Sequence, residues 1–194
     1  MCHRLDDEKV RSQVGYLLNS LSNLPVDDEV NFYIFVINGQ WDEPLYGMME
    51  KNFATVAKNI GNSAVIARGL DPAAFVAEVQ DKYVGHDQDD LWGLLPALLI
   101  TDRHPDRLDD KAMRLVIPLR EADTRCGGWP NFFRLLSDFV QFRSDEFLQH
   151  FQKKEDVIGD LNRFIEIKAE FFGIALNVNE IFAWWRERAA RQTG

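Results

Sequence analysis

A mixed α/β fold around a largely buried sheet is predicted by three features of this 194-residue sequence. Short apolar runs recur at 31–37, 64–67, 96–101 and 113–119, each of strand length and bounded by turn residues. Segments at 43–60 and from Asp71 to Tyr83 lie between the first three runs and repeat their apolar residues at helical spacing. Hydrophobic residues make up 46% of the chain and aromatics 12%, enough for the core of one domain with appendages.

Taken in order, residues 5–24 read as a helix, because Val10, Val14, Leu17, Leu18 and Leu21 share one helical face. Pro25 and the acidic Asp27, Asp28 and Glu29 end it. The run 31–37 is continuous, apolar and β-rich, the pattern of a strand buried on both faces. Asn38 and Gly39 close it. Asp42 is a natural N-cap for the helix that follows, since its carboxylate can accept first-turn amides. Pro44 is tolerated in that turn, where an N–H would have no helical partner. Met48, Met49, Phe53, Val56 and Ile60 form the apolar face, and Gly61 is the expected C′ residue.

A second strand falls at 64–67, and Asp71 and Pro72 open a helix that turns Phe75, Val76, Val79 and Tyr83 inward. The polar stretch 85–90 is a loop. A third strand at 96–101 and a fourth at 113–119 flank a charged connection. Pro118 argues for an edge position, because proline cannot donate to a neighbouring strand. Gly127 and Gly128 precede a helix at 132–142, and 144–194 reads as further helices ending in Arg186, Arg188 and Arg191. Cations there suit the negative end of a helix dipole.

The resulting order is β-α-β-α-β-β-α, with two landmarks placed in it. Trp41-Asp42-Glu43-Pro44-Leu45 stands where the first strand hands over to the first helix, and Leu95-Pro96 stands just before the third strand. This arrangement resembles the thioredoxin family, in which that junction carries Trp-Cys-Gly-Pro-Cys and a cis-proline precedes the third core strand. Trp41 and Pro44 match the family's Trp and Pro, while Asp42 and Leu45 replace its two cysteines. The resemblance covers about residues 30–142. It implies a thioredoxin-like core at 30–142, an N-terminal helical extension at 1–29 and a C-terminal helical extension at 143–194.

The replaced cysteines exclude the family's chemistry. Thiol–disulfide exchange needs a thiolate at the helix start and a second thiol to resolve the mixed disulfide. Asp42 keeps a negative charge there but forms no disulfide, and Leu45 offers nothing. The resemblance implies instead that the surface of Trp41, Asp42, Glu43, Pro44, Leu45, Leu95 and Pro96, which binds extended peptide in the family, has kept a binding use. Pro96 in cis would leave the Leu95 backbone open beside Trp41 and Asp42.

The chain has two cysteines, Cys2 and Cys126, too few for a disulfide framework and forming no Cys-x-x-Cys pair. They read as free thiols of a reducing cytoplasm. Met1-Cys2-His3-Arg4-Leu5 lacks the apolar stretch of a secretory signal, and the apolar runs at 34–37 and 94–100 are too short to cross a bilayer. With a formal net charge of -9, a polyanion is repelled at long range, so nucleic acid and anionic membrane are not expected partners and a basic protein is.

No metal is expected. His86, Asp87, Asp89 and Asp90 do not follow EF-hand spacing, the stretch from Asp102 to Asp110 reads as a charge-balanced hairpin connection, and Cys2 with His3 supplies only two ligands. His150 is expected on a helix surface. Cys126-Gly127-Gly128 lacks the lysine and spacing of a phosphate loop, so Cys126 is expected to be a half-buried turn residue. Trp184 and Trp185 cannot both face one side of a helix. One must be covered by another element, a partner or a second copy, and a homo-dimer through the C-terminal helices would serve.

These readings converge on a redox-inactive, non-catalytic thioredoxin-like protein that acts by protein–protein contact, as a subunit, an adaptor or an acidic neutraliser, with no cofactor. The alternative is a glutathione-linked, transferase-like enzyme. Thiol redox activity through Cys126 is a third.

Overall fold

The run at 32–37 becomes the middle strand of a sheet, which is why it is apolar on both faces. The computed structural model describes residues 15–27, 30–38, 43–84, 91–109 and 112–151. Among them, five strands form one sheet: β1 (Tyr16–Leu18), β2 (Phe32–Ile37), β3 (Ala64–Gly69), β4 (Ala97–Thr101) and β5 (Arg114–Pro118), in the spatial order β1-β3-β2-β4-β5. Strands β1 and β2 run parallel to β3, β4 runs antiparallel to β2, and β5 antiparallel to β4. The helices are α1 (Glu43–Ile60), α2 (Pro72–Val79), α3 (Leu91–Leu94), α4 (Leu119–Cys126), α5 (Trp129–Phe142) and α6 (Glu146–Gln149). The α/β class is therefore as expected.

Strand side chains alternate between two separate cores. Phe32 and Ile34 of β2, Leu98 and Ile100 of β4, and Leu115 and Ile117 of β5 face α1, α4, α5 and α6. Tyr33, Phe35 and Ile37, with Leu99 and Val116, face α2, Tyr83 and the segment around Leu21. Each fully buried residue of this size contributes about 1.5–3 kcal/mol through removal of apolar surface from water. Helix α5 presents Phe132, Leu135, Leu136, Phe139 and Val140, a stripe at i, i+3, i+4, i+7 and i+8, all buried. Phe32 meets Phe139 at 5.6 Å and Phe147 meets Phe132 at 5.8 Å between ring centroids, so aromatic contacts join the sheet, α5 and α6.

Helix α1 starts and ends where its sequence signals stand, and Gly61 follows it at φ 62, the left-handed conformation expected of a C′ residue. Asp71 caps α2 through a 3.1 Å bond from the Ala74 N–H, with Pro72 in the first turn.

The helix expected over 5–24 is corrected in its described part. Residues 16–18 form β1, paired with β3, and Leu21–Asn23 is a single 3₁₀ turn. The Leu70 N–H donates to the Leu18 carbonyl at 2.8 Å. Glu78 of α2 accepts from the Leu21 N–H at 2.6 Å and from the Ser20 hydroxyl at 3.0 Å, closing the start of the turn. Leu18, Leu21 and Leu24 are all buried against α2's side of the sheet. Their spacing of three serves a strand followed by a tight turn as well as it serves a helix. Residues 16–24 thus belong to the sheet and its core rather than to an appended helix, and residues 1–14 lie outside the described set.

A second difference is α4, which the sequence reading left out. Its apolar residues Leu119, Ala122 and Cys126 make a narrow buried stripe on an otherwise polar helix. Gly127 ends it at φ 72, where a side chain would be strained, and the Gly128 N–H reaches back to the Asp123 carbonyl at 2.7 Å. Helix α5 consequently begins at Trp129, earlier than expected. Of the helices expected over 144–194, α6 is described, and the segment from 152 on is not.

Candidate functional site

The register of the sheet fixes one end of the molecule. Ile37, the last residue of β2, pairs with Ala97, the first of β4, and Ala97 pairs with Pro118, the last of β5. Leu95 and Pro96 therefore stand beside the carboxyl ends of β2 and β5.

The peptide bond between Leu95 and Pro96 is cis. Pro96 is buried and Leu95 is only 7% exposed. Both flanking carbonyls are engaged by the first turn of α4: the Leu119 N–H donates to the Pro96 carbonyl at 2.8 Å, and the Arg120 Nε donates to the Leu95 carbonyl at 3.0 Å. The Leu95 backbone, expected to be open, thus has its carbonyl occupied from within the chain.

Leu45 is half-buried in the first turn of α1. Val36, Met48, Trp129 and Phe133 lie partly buried against the α1–α5 core. Trp129 meets Phe132 edge-on at 5.5 Å and Phe133 at 6.0 Å between centroids. Glu43 and Pro44 open α1. Trp41, Asp42, Trp184 and Trp185 lie outside the described residues, as do His86, Asp87, Asp89 and Asp90. Sequence reasoning missed Arg120, Trp129 and Phe133. Trp129 beside Pro130 at a helix start was a visible signal, whereas Arg120 was not, because its role depends on α4.

Cys126 is the last residue of α4 and not a half-buried turn residue; it is 1% exposed in the α1–α5 core. Burial pushes its thiol up to about 11, which Arg125 opposes and Asp123 supports. A thiol held protonated and out of solvent is a poor nucleophile. His150 is half-buried, and its Nδ1 donates to the Arg125 carbonyl at 2.9 Å. Asn131 Nδ2 donates to the Cys126 carbonyl at 2.6 Å, so these two side chains satisfy the carbonyl end of α4.

At the opposite end of the sheet, polar groups are buried and committed to the fold. His104 is 3% exposed; its Nδ1 accepts from the Asp106 N–H at 3.2 Å and its Nε2 donates to the Leu24 carbonyl at 3.1 Å. Asp102 accepts from the Met113 N–H at 2.8 Å across the β4–β5 connection, and burial raises its pKa against that hydrogen bond. The Tyr83 hydroxyl donates to the Arg103 carbonyl at 3.1 Å, and burial raises the phenol's pKa strongly. Among the described residues, no three His, Cys, Asp or Glu side chains are placed to share a metal ion. No helix among them is long and apolar enough to cross a membrane.

Comparison of the chain with protein-family models, with curated proteins and with solved structures returns no match.

Proposed function

We propose that this chain is a thioredoxin-like domain that has exchanged its dithiol for a carboxylate and an aliphatic side chain, and that it acts by binding an extended segment of a protein partner. The observation that carries the reading is the strand order β1-β3-β2-β4-β5 with β4 and β5 antiparallel, whose register sets Leu95 and Pro96 beside the end of β2. In the sequence Trp41 and Pro44 match the family's Trp and Pro, while Asp42 and Leu45 stand in the places of its cysteines. The buried Cys126, its thiol pushed up to about 11, speaks against the thiol-redox alternative.

The candidate contact surface is made of half-buried apolar side chains, Leu45 and Met48 of α1 with Trp129 and Phe133 of α5, while the Leu95 side chain packs in the core on the other face of the sheet. Apolar side chains of this kind supply selectivity when an extended segment docks on them. The net charge of -9 favours a basic segment at long range.

Selection of displayed 12-residue peptides against the immobilised full chain tests this. Binders are expected to be enriched in basic and apolar residues, and to lose at least tenfold in affinity on Leu45→Arg while Val26→Arg, on a distant exposed residue, leaves them unchanged. Binders insensitive to Leu45→Arg would place the contact elsewhere and refute the assignment.

A further inference from the structure

We infer that residues 184–194 of this chain dock on the apolar surface of Leu45, Met48, Trp129 and Phe133 and hold it closed against a partner; this rests on the partner-binding reading above. Gln141 Nε2 of α5 donates to the Asn59 carbonyl of α1, which brings the carboxyl ends of the two helices together on one face of the sheet. Their opening turns, carrying Leu45 and Met48 on α1 and Trp129 and Phe133 on α5, therefore belong to the other end of that layer. All four side chains are half-buried, so each keeps apolar surface within reach of another segment.

The chain leaves the described core beside this surface. Phe147 meets Phe132 of α5 at 5.8 Å and Phe151 meets Phe147 at 5.3 Å between ring centroids. His150 Nδ1 is held 2.9 Å from the carbonyl of Arg125, close in sequence to Trp129. From Phe151, 32 residues lead to Trp184, a reach on the order of 30 Å for a random chain of that length.

Composition selects the segment. Residues 184–194 hold two tryptophans and three arginines against one glutamate, a net charge of +2 that leaves -11 on the rest of the chain. The chain thus contains a sequence of the basic, apolar kind that its own surface is proposed to select, and opposite charge draws the two together. Tethering supplies the segment at an effective concentration of roughly 1 mM, so even a contact with a dissociation constant of about 0.1 mM weakens a competing partner about tenfold.

Two full-length variants disarm the segment by different means. Trp184→Ser with Trp185→Ser removes the rings, and Arg186→Glu with Arg188→Glu and Arg191→Glu reverses the charge. Thermal melts verify folding, and a variant that does not fold leaves the other to decide. The selected 12-residue peptides, and a fluorescein-labelled synthetic peptide of residues 184–194, are titrated by anisotropy against wild type and both variants, each with and without Leu45→Arg. The variants are expected to bind the Leu45-dependent peptides about five- to twentyfold more tightly than wild type, and to bind the labelled peptide with the same dependence on Leu45. Equal affinities for wild type and variants, with Leu45 dependence retained, overturn the self-docking alone. Absence of Leu45-dependent binding by any peptide to any of the proteins overturns the partner-binding reading and the self-docking with it. A wild-type dimer in sedimentation that both variants dissociate would assign the surface to a second copy and overturn docking within one chain.

Discussion

The Nε2 of His104 donates a 3.1 Å hydrogen bond to the carbonyl of Leu24, fastening the β4–β5 connection to the segment that follows β1. The same ring stands edge-on to Tyr33 at 5.5 Å, and the Tyr33 hydroxyl donates to the Asp27 carbonyl at 3.3 Å. His104→Ala would leave a buried carbonyl without its donor and open space beside Tyr33. A loss of about 2–4 kcal/mol is expected in urea denaturation. His104→Gln, which can present an amide to Leu24, should recover part of it. Equal losses in the two variants would show that the hydrogen bond contributes little.

Asp102 makes stability depend on pH in a defined direction. Its carboxyl is raised in the folded chain above the ordinary 3.8, chiefly by burial. The folded state therefore holds the proton more tightly than the unfolded state, and this contribution is complete below 3.8 and lost as pH rises through the raised value. Asp102→Asn keeps an acceptor for the Met113 N–H and removes the buried charge. Relative to wild type, its stability should improve from about pH 3 to about pH 7. Urea midpoints across that range measure it, and a flat difference would count against burial of the charge as the cause.

Cys126 should be chemically silent in the folded protein. With the thiol at about 11, roughly one molecule in a thousand carries a thiolate at pH 8, and that thiolate is buried. In a Cys2→Ser background, iodoacetamide at pH 8 should leave the native mass unchanged and add one adduct in denaturant. The chain should also fail to reduce insulin disulfides. Reduction abolished by Cys126→Ser would restore the redox reading.

Gly69 closes β3 against α2. A Cβ there would overlap the Phe75 Cβ and stand 2.9 Å from the Asp71 carbonyl oxygen. Gly69→Ala should destabilise by about 1–3 kcal/mol, the usual cost of overpacking. Gly47→Ala is the control, since its Cβ would meet nothing within 4 Å and alanine favours the helix. A Gly69→Ala protein melting with wild type would mean that α2 shifts freely.

The strands from β2 to β5 were legible because each combines an unbroken apolar run with a turn signal, as in Phe32–Ile37 between Asn31 and Asn38. Helix α1 was legible at both ends through Pro44 and Gly61. Strand β1 was not, because a three-residue strand carries no period of its own and is defined by pairing with Ala67, Arg68 and Gly69, far along the chain. Helix α4 was hidden by its polar composition, which masks a stripe of only Leu119, Ala122 and Cys126. At the candidate site, Leu95 and Pro96 could be placed from local pattern. The hold of Arg120 on Leu95 could not, since it joins residues from two elements whose adjacency the sheet creates.

The two outer strands carry a consequence for crowding. Among the described residues, β1 on one rim offers three residues of backbone, and on the other β5 terminates in Pro118, which has no N–H for a neighbour. As far as the described residues go, a short rim and a proline-ended rim give a second copy little on which to continue the ladder.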